Sequence, residues 1–176
     1  MSLQNHLTND ETEEDSPFTA DIMDKYQGKV QAAPNVWNNY GKVSKFHGEI
    51  ATIRCFENNP LVRRRLTAEN GNGRVLIVDG GGSLGCALMG DALATEAIKN
   101  NWKGVILNGA IRDSSVMKSL KLGVKALGTN PTKSGKENLG SVDESVSFSG
   151  LTFEPGKWVY ADEDGVVVSN EKIDDV

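Results

Sequence analysis

Apolar and polar positions change period several times along the chain, and each change marks an element. Gly48-Glu49-Ile50-Ala51-Thr52-Ile53-Arg54-Cys55-Phe56 alternates apolar with polar side chains and is rich in β-branched residues, which suits a half-buried strand. The spacing then becomes helical. Pro60 fits a first turn after Asn58-Asn59, Leu61, Val62, Arg65 and Leu66 supply an amphipathic face, and Asn70-Gly71-Asn72-Gly73 stops it. Residues 74–79 and 104–109 are short and almost wholly apolar, the pattern of strands covered on both faces. A helical stretch between them ends at Lys99-Asn100-Asn101, giving a βαβ-like unit with its loops at the strands' C-terminal ends.

Upstream, Thr19 stands as a capping residue before a short helix in which Ile22, Met23 and Tyr26 form a stripe. Downstream, residues 123–128 read as a strand. Residues 145–148 and 151–153 flank a Ser149-Gly150 turn, and Asp162-Glu163-Asp164-Gly165 turns residues 158–161 back on 166–168 as a hairpin. The pattern as a whole predicts an α/β domain with a strand-rich C-terminal third.

Composition narrows the class. A chain of 176 residues accommodates one ordinary domain, expected over residues 18–176. Residues 1–17 carry Asp10, Glu11, Glu13, Glu14 and Asp15 with almost nothing apolar, so they are expected to form a disordered acidic leader. That leader accounts for the formal charge of −5, leaves the body near neutral, and gives no electrostatic reason to expect nucleic acid as a direct partner. No apolar run approaches the ~20 residues of a bilayer span. The start has neither the basic and apolar regions of a secretory signal nor the arginines of an organellar presequence, so a cytoplasmic location is expected. Cys55 and Cys86 lie in no CxxC or zinc spacing, and Cys86 reads as a small buried residue. His6 and His47 are isolated, which excludes a histidine-based triad or HExxH site within one chain. Chemistry here must use carboxylates, arginine, backbone amides or a cofactor.

Three features could carry such chemistry. Asp79-Gly80-Gly81-Gly82-Ser83 follows an apolar strand and is either a tight turn or a backbone brought close to a ligand; it completes neither a P-loop nor a GxGxxG fingerprint. Gly90-Asp91-Ala92-Leu93-Ala94 opens a helix, with Asp91 able to cap it and the amides of residues 92–94 able to receive an anion such as a substrate carboxylate. Arg112-Asp113 follows the second apolar strand, where α/β sheets place ligands, although an exposed ion pair would look the same. Residues 92–111 separate Asp91 from Arg112-Asp113, so the two features share one end of the sheet if the two strands are neighbours. Lys103 and Lys118 lack a helper that would depress their pKa, which disfavours a Schiff base.

The run RVLIVDGGGSLGCALMGDALATEAIKNNWKGVILNGAIRD, with GEIATIRCFENNPLVRRRL before it and GVKALGTNP and VSFSGLTFEPGKWVYADEDGVVVS after it, resembles the regulator of ribonuclease activity A family. Within the family it is most similar to the 4-hydroxy-4-methyl-2-oxoglutarate aldolase branch, and the resemblance covers residues 18 to 170. It implies a swivelling β/β/α domain of the RraA-like type, a homotrimer or a dimer of trimers, and sites between subunits. It also implies a class II-type aldolase that cleaves 4-hydroxy-4-methyl-2-oxoglutarate or 4-carboxy-4-hydroxy-2-oxoadipate, with oxaloacetate decarboxylation as a side activity. Family members that inhibit a ribonuclease E-type enzyme can lack the aspartate of the Arg-Asp pair, which this chain keeps. The roles implied are Asp113 as the protein ligand of Mg²⁺ or Mn²⁺, Arg112 as stabiliser of a pyruvate enolate, and Asp91 as the residue orienting the protonating water. Gly90, Asp91, Ala92, Leu93 and Arg112 would contact the substrate. Gly85 departs from the family, where arginine commonly follows GGGSL. The alternative function is a protein-binding regulator of a ribonuclease E-type partner, and a retained fold with neither activity is a third reading.

Overall fold

The structure, a computed structural model, describes residues 16–174. Its elements in chain order are α1 (Thr19–Lys25), β1 (Val30–Ala32), β2 (Asn38–Asn39), β3 (Phe46–Arg54), α2 (Pro60–Ala68), β4 (Val75–Asp79), β5 (Ala87–Met89), α3 (Asp91–Lys99), β6 (Gly104–Ile111), α4 (Ser114–Met117), β7 (Gly123–Thr129), β8 (Ser141–Val142), β9 (Val146–Phe148), β10 (Leu151–Phe153), β11 (Trp158–Ala161) and β12 (Val166–Ser169). One mixed sheet runs β1-β12-β11-β3-β4-β6-β7-β2, with β5 added to β6 and β8 to β3. Its centre, β3-β4-β6-β7, is parallel, and the β11-β12-β1 flank is antiparallel. This is the expected α/β class, with the predicted hairpins at β9-β10 and β11-β12.

Both faces of the parallel centre are covered, which is why β4 and β6 are almost wholly apolar. Helices α2, α3 and α4 bury Leu61, Val62, Leu66, Leu93, Ala94, Ala97 and Met117 against one face. Trp37 and the β9-β10 hairpin, with Val146, Leu151 and Phe153, cover the other. Helix α1 closes a smaller cluster in which Ile22 meets Tyr160, Val167 and Ile173.

Two expectations at the amino end change. Thr19 does not cap α1; Phe18 holds the cap position, and the Thr19 N–H and hydroxyl donate to Asp162 Oδ2 at 2.7 Å and Oδ1 at 2.8 Å. Ser16 is buried with its hydroxyl 3.0 Å from His47 Nδ1, so the packed body reaches back to Ser16, while leader residues 1–15 lie outside the described residues. His47 itself stacks on Tyr160, ring centroids 5.3 Å apart, as part of the packing. Sequence periodicity passes over β1, β2, β5, β8 and α4, each of four residues or fewer, too short to establish a period.

Candidate active site

Because β4 and β6 are parallel neighbours, paired from Val75–Gly104 to Asp79–Asn108, their following loops emerge at one end of the sheet. The first loop is the triple glycine, and its role is structural. The Gly80 and Gly82 amides donate to the Asn108 carbonyl at 3.1 and 3.0 Å, and Asp79 Oδ1 accepts from the Gly81 amide and from Asn108 Nδ2. Gly81 and Gly82 have φ of +67° and +74°, which a side chain would strain. Of the two readings left open for this loop, these bonds select the tight turn.

After the turn the chain passes through β5, which is parallel to β6 and whose Met89 carbonyl accepts the Arg112 amide at 3.0 Å, and enters α3. Gly90 is the N-cap in extended backbone, and Asp91 is the first helical residue. Asp91 therefore does not cap α3 as its position suggested. Its carboxylate makes no hydrogen bond or ion pair within the described residues and lines the cleft. The Ala94 amide is spent on the Gly90 carbonyl at 3.1 Å, which leaves Ala92 and Leu93 as the amides without an acceptor at this helix start.

Arg112 and Asp113 follow β6 directly. Asp113 sits in the left-handed region, φ 57° and ψ 36°, a conformation aspartate tolerates better than most residues, and its carbonyl accepts the Val116 and Met117 amides that begin α4. The bend turns its carboxylate back over the α3 start. Oδ2 lies 3.3 Å from the Asp91 amide and 3.8 Å from Arg112 Nε. A methyl on Gly90 would stand 2.5 Å from that same Oδ2, so this close approach requires glycine. The Arg112 and Asp113 side chains are 35% and 39% exposed, open enough to meet a ligand.

These groups line one open cleft of about 380 Å³, solvent at its mouth included. Gly90, Asp91, Ala92, Leu93, Arg112 and Asp113 all border it, so the structure brings the residues of two of the three features singled out from sequence to one place, while the triple-glycine loop lies outside the lining. Sequence reasoning missed a second wall, made by Asn59 and Arg63 of the α2 start and by Lys133, Ser134 and Lys136 of the loop after β7. Arg63, Lys133 and Lys136 are polar positions without a core role, but no spacing in the sequence brings their two segments together.

Neither cysteine supplies a nucleophile. Burial, followed by the nearby Asp79 and Cys86, pushes the Cys55 thiol up to about 12, and burial, then Glu57, raises that of Cys86. No three His, Cys, Asp or Glu side chains cluster into a metal cage among the described residues. The donor set that is present, the Asp113 carboxylate with Oδ1 unengaged beside open solvent, fits a hard divalent ion that keeps most of its water.

The fold and cleft define a single-domain α/β protein with an acid- and arginine-bearing site at the carboxyl ends of its parallel strands. The RraA-like family model (Aldolase/RraA) matches residues 19–168, and the chain belongs to this family. A relative from Aromatoleum aromaticum, provisionally named 4-hydroxy-4-methyl-2-oxoglutarate aldolase, is 49% identical over 155 residues, 88% of this chain and 97% of its own length. The solved RNA-processing inhibitor RraA from Thermus thermophilis is 40% identical, with a TM-score of 0.86 over 90% of this chain and 95% of that one. A Geobacillus kaustophilus structure described as S-adenosylmethionine: 2-dimethylmenaquinone methyltransferase is 44% identical, with a TM-score of 0.85 over 89% of this chain and 97% of that one.

Proposed function

We propose that the chain is a divalent-metal-dependent lyase of the class II aldolase type. It cleaves 4-hydroxy-4-methyl-2-oxoglutarate, or 4-carboxy-4-hydroxy-2-oxoadipate, to release pyruvate, and decarboxylates oxaloacetate as a side reaction. The observation that carries this reading is the convergence of Asp91, Arg112, Asp113 and the free Ala92 and Leu93 amides on one cleft. The names borne by the aldolase relatives support it.

Asp113 would hold a Mg²⁺ or Mn²⁺ ion, which when bound supplies Lewis acidity to an oxo-acid. The α3 start takes the substrate's C1 carboxylate, because two amides and the helix dipole face it there. The C4 hydroxyl gives up its proton to a water in the open cleft as it becomes a carbonyl; the electron pair of the breaking C3–C4 bond develops into negative charge on the C2 oxygen, and the Arg112 guanidinium offsets that charge. Asp91, uncommitted to any partner, positions the water that returns a proton to C3. The same enolate forms when CO₂ leaves oxaloacetate, which accounts for the side reaction. As in the RraA-like resemblance, the working form is proposed to be a homotrimer or a pair of trimers, with sedimentation of a 19.0 kDa species alone as the result against it.

The test is pyruvate release from either substrate, abolished by EDTA, restored by Mg²⁺ or Mn²⁺, and lost in Asp113→Ala. Failure to turn over both substrates with metal present rejects the reading. A second reading, a protein-binding inhibitor of a ribonuclease E-type enzyme, is favoured by the name of the Thermus relative. It requires inhibition of such an enzyme at micromolar concentration and leaves Asp113 dispensable.

A further inference from the structure

The part of the cleft lining made by Asn59, Arg63, Lys133, Ser134 and Lys136 comes from segments that share no stretch of sequence, yet it is firmly made. The Ala87 amide donates to the Thr132 carbonyl at 2.9 Å, Gly135 donates to the Glu57 carbonyl at 2.7 Å, and Asn59 donates back to the Gly135 carbonyl at 3.4 Å. These bonds pin residues 132–135 across β5 and the start of α2. Asn59 then fixes two things at once: its Nδ2 donates to the Leu88 carbonyl at 2.9 Å, and its Oδ1 accepts from Lys136 Nζ at 2.9 Å. Arg63, one turn along α2, and Lys133 border the same space with no ion pair among the described residues.

Charge and hydrogen bonding both point to an anion. Four cationic side chains, Arg63, Arg112, Lys133 and Lys136, line the cleft against two carboxylates, Asp91 and Asp113, in a chain whose formal charge is −5. Between the two lysines, Ser134 is 6% exposed, and its hydroxyl is buried without any hydrogen-bond partner. A buried hydroxyl left unmade costs free energy, and here it belongs to a residue of the cleft lining. One carboxylate at the α3 start leaves this basic wall unneutralised; a second carboxylate at the far end of the same molecule answers it.

Building on the aldolase reading, we infer that Arg63, Lys133, Ser134 and Lys136 form a second anion subsite that takes the distal carboxylate of the oxo-acid. The cleft therefore selects dicarboxylates over monocarboxylates of the same length. Ser134 donates its hydroxyl to the distal carboxylate, and Arg63 and Lys133 supply charge-assisted contacts. Lys136, held by Asn59, sets the position of the wall.

The experiment measures binding, so it does not depend on turnover. Full-length protein with Mg²⁺ is titrated calorimetrically with 2-oxoglutarate and with 2-oxopentanoate, which share chain length and differ in the distal carboxylate. The wild type should bind 2-oxoglutarate at least about tenfold more tightly, the return expected of one charge-assisted hydrogen bond. Lys133→Met, Arg63→Gln and Ser134→Ala should each erode that ratio several-fold while leaving 2-oxopentanoate affinity and the melting temperature unchanged. Equal affinities in the wild type, a ratio that survives all three substitutions, or no binding of either acid overturns the subsite. A retained preference in a protein that releases no pyruvate from either aldol substrate rejects the aldolase reading and leaves the subsite standing.

Discussion

Asp113 and Asp162 both lie just past a strand, two residues beyond β6 and one beyond β11, and the fold treats them in opposite ways. Asp162 is 4% exposed, and its carboxylate is saturated: Oδ2 accepts the Thr19 amide, and Oδ1 accepts the Thr19 hydroxyl and the Asp164 and Gly165 amides at 2.8, 2.9 and 3.3 Å. Every donor comes from the chain itself, so this carboxylate locks α1 and the β11-β12 turn together. Asp113 is 39% exposed, accepts one long bond of 3.3 Å, and holds a left-handed backbone to face the cleft. A carboxylate whose valences are filled internally serves the fold, whereas one held in a strained position with valences open serves a ligand.

Exchanging the two roles by mutation gives the largest effects. Asp113→Ala should lower aldol cleavage by at least about 10³-fold and cost only about 1 kcal/mol of stability, because nothing buried loses a partner and only the left-handed backbone becomes less favourable for alanine. Asp162→Ala should do the reverse. It strands buried donors of Thr19, Asp164 and Gly165 and should cost about 3 kcal/mol of stability, read by urea denaturation, with activity per folded molecule retained. A stability loss in Asp113→Ala equal to that of Asp162→Ala would erase the distinction.

This contrast also explains how much of the molecule was legible in the sequence. Strands β4 and β6 declare themselves because burial on both faces forces almost wholly apolar runs, β3 through its alternation and β-branched residues, and both hairpins through their turn residues. Asp91, Arg112 and Asp113 were legible because one βαβ-like unit carries them all, so the sequence spacing predicts their juxtaposition. The basic wall was not legible. Arg63 and Lys133 lie seventy residues apart and meet through hydrogen bonds of loop backbones, which leave no periodic trace. The misassigned caps have a similar origin: Thr19 and Asp91 had the right chemistry for capping, but Thr19 was claimed by Asp162, and α3 began one residue earlier than a capping Asp91 would allow.

An intermediate case sharpens the comparison. Asp143, in the loop between β8 and β9, also has a left-handed backbone, φ 57°, yet it is committed: Arg65 of α2 meets it bidentately at 2.7 and 3.0 Å and reaches Glu69 at 3.0 Å. Strain alone therefore does not mark a ligand site; strain with open valences does. The Arg65 hydrogen bond holds the Asp143 carboxyl below its usual value of 3.8, against the opposing effect of burial. A carboxyl depressed in the folded state contributes stability above its unfolded pKa, and that contribution is lost as pH falls through the folded value. Arg65→Met should cost about 1–2 kcal/mol at neutral pH, less than a fully buried pair because Asp143 is half exposed, and the cost should shrink below pH 4. A cost that is the same at pH 7 and pH 3 would remove Asp143 from the account.

The smallest expected effect separates open valences at a site from open valences in the core. Lys125 of β7 is fully buried on the face covered by Trp37, and its Nζ makes no hydrogen bond, as is also true of Trp37 Nε1. Unlike Ser134 it does not line the candidate cleft, so its unmet ammonium is a cost with no ligand of that cleft to offset it. Burial lowers its pKa below the ordinary 10.5, although Asp162 and Glu163 work against the shift. Below the folded value both states carry the proton and the native state bears a buried charge. Between the folded value and 10.5 the unfolded chain binds the proton and the native state does not, so stability rises with pH across that window. Lys125→Met keeps the volume and removes the charge; it should stabilise the protein by about 1 kcal/mol at pH 7 and abolish that alkaline rise. Destabilisation by Lys125→Met would show instead that the ammonium has found a partner in the core, and an unmet buried group would then no longer separate core from cleft.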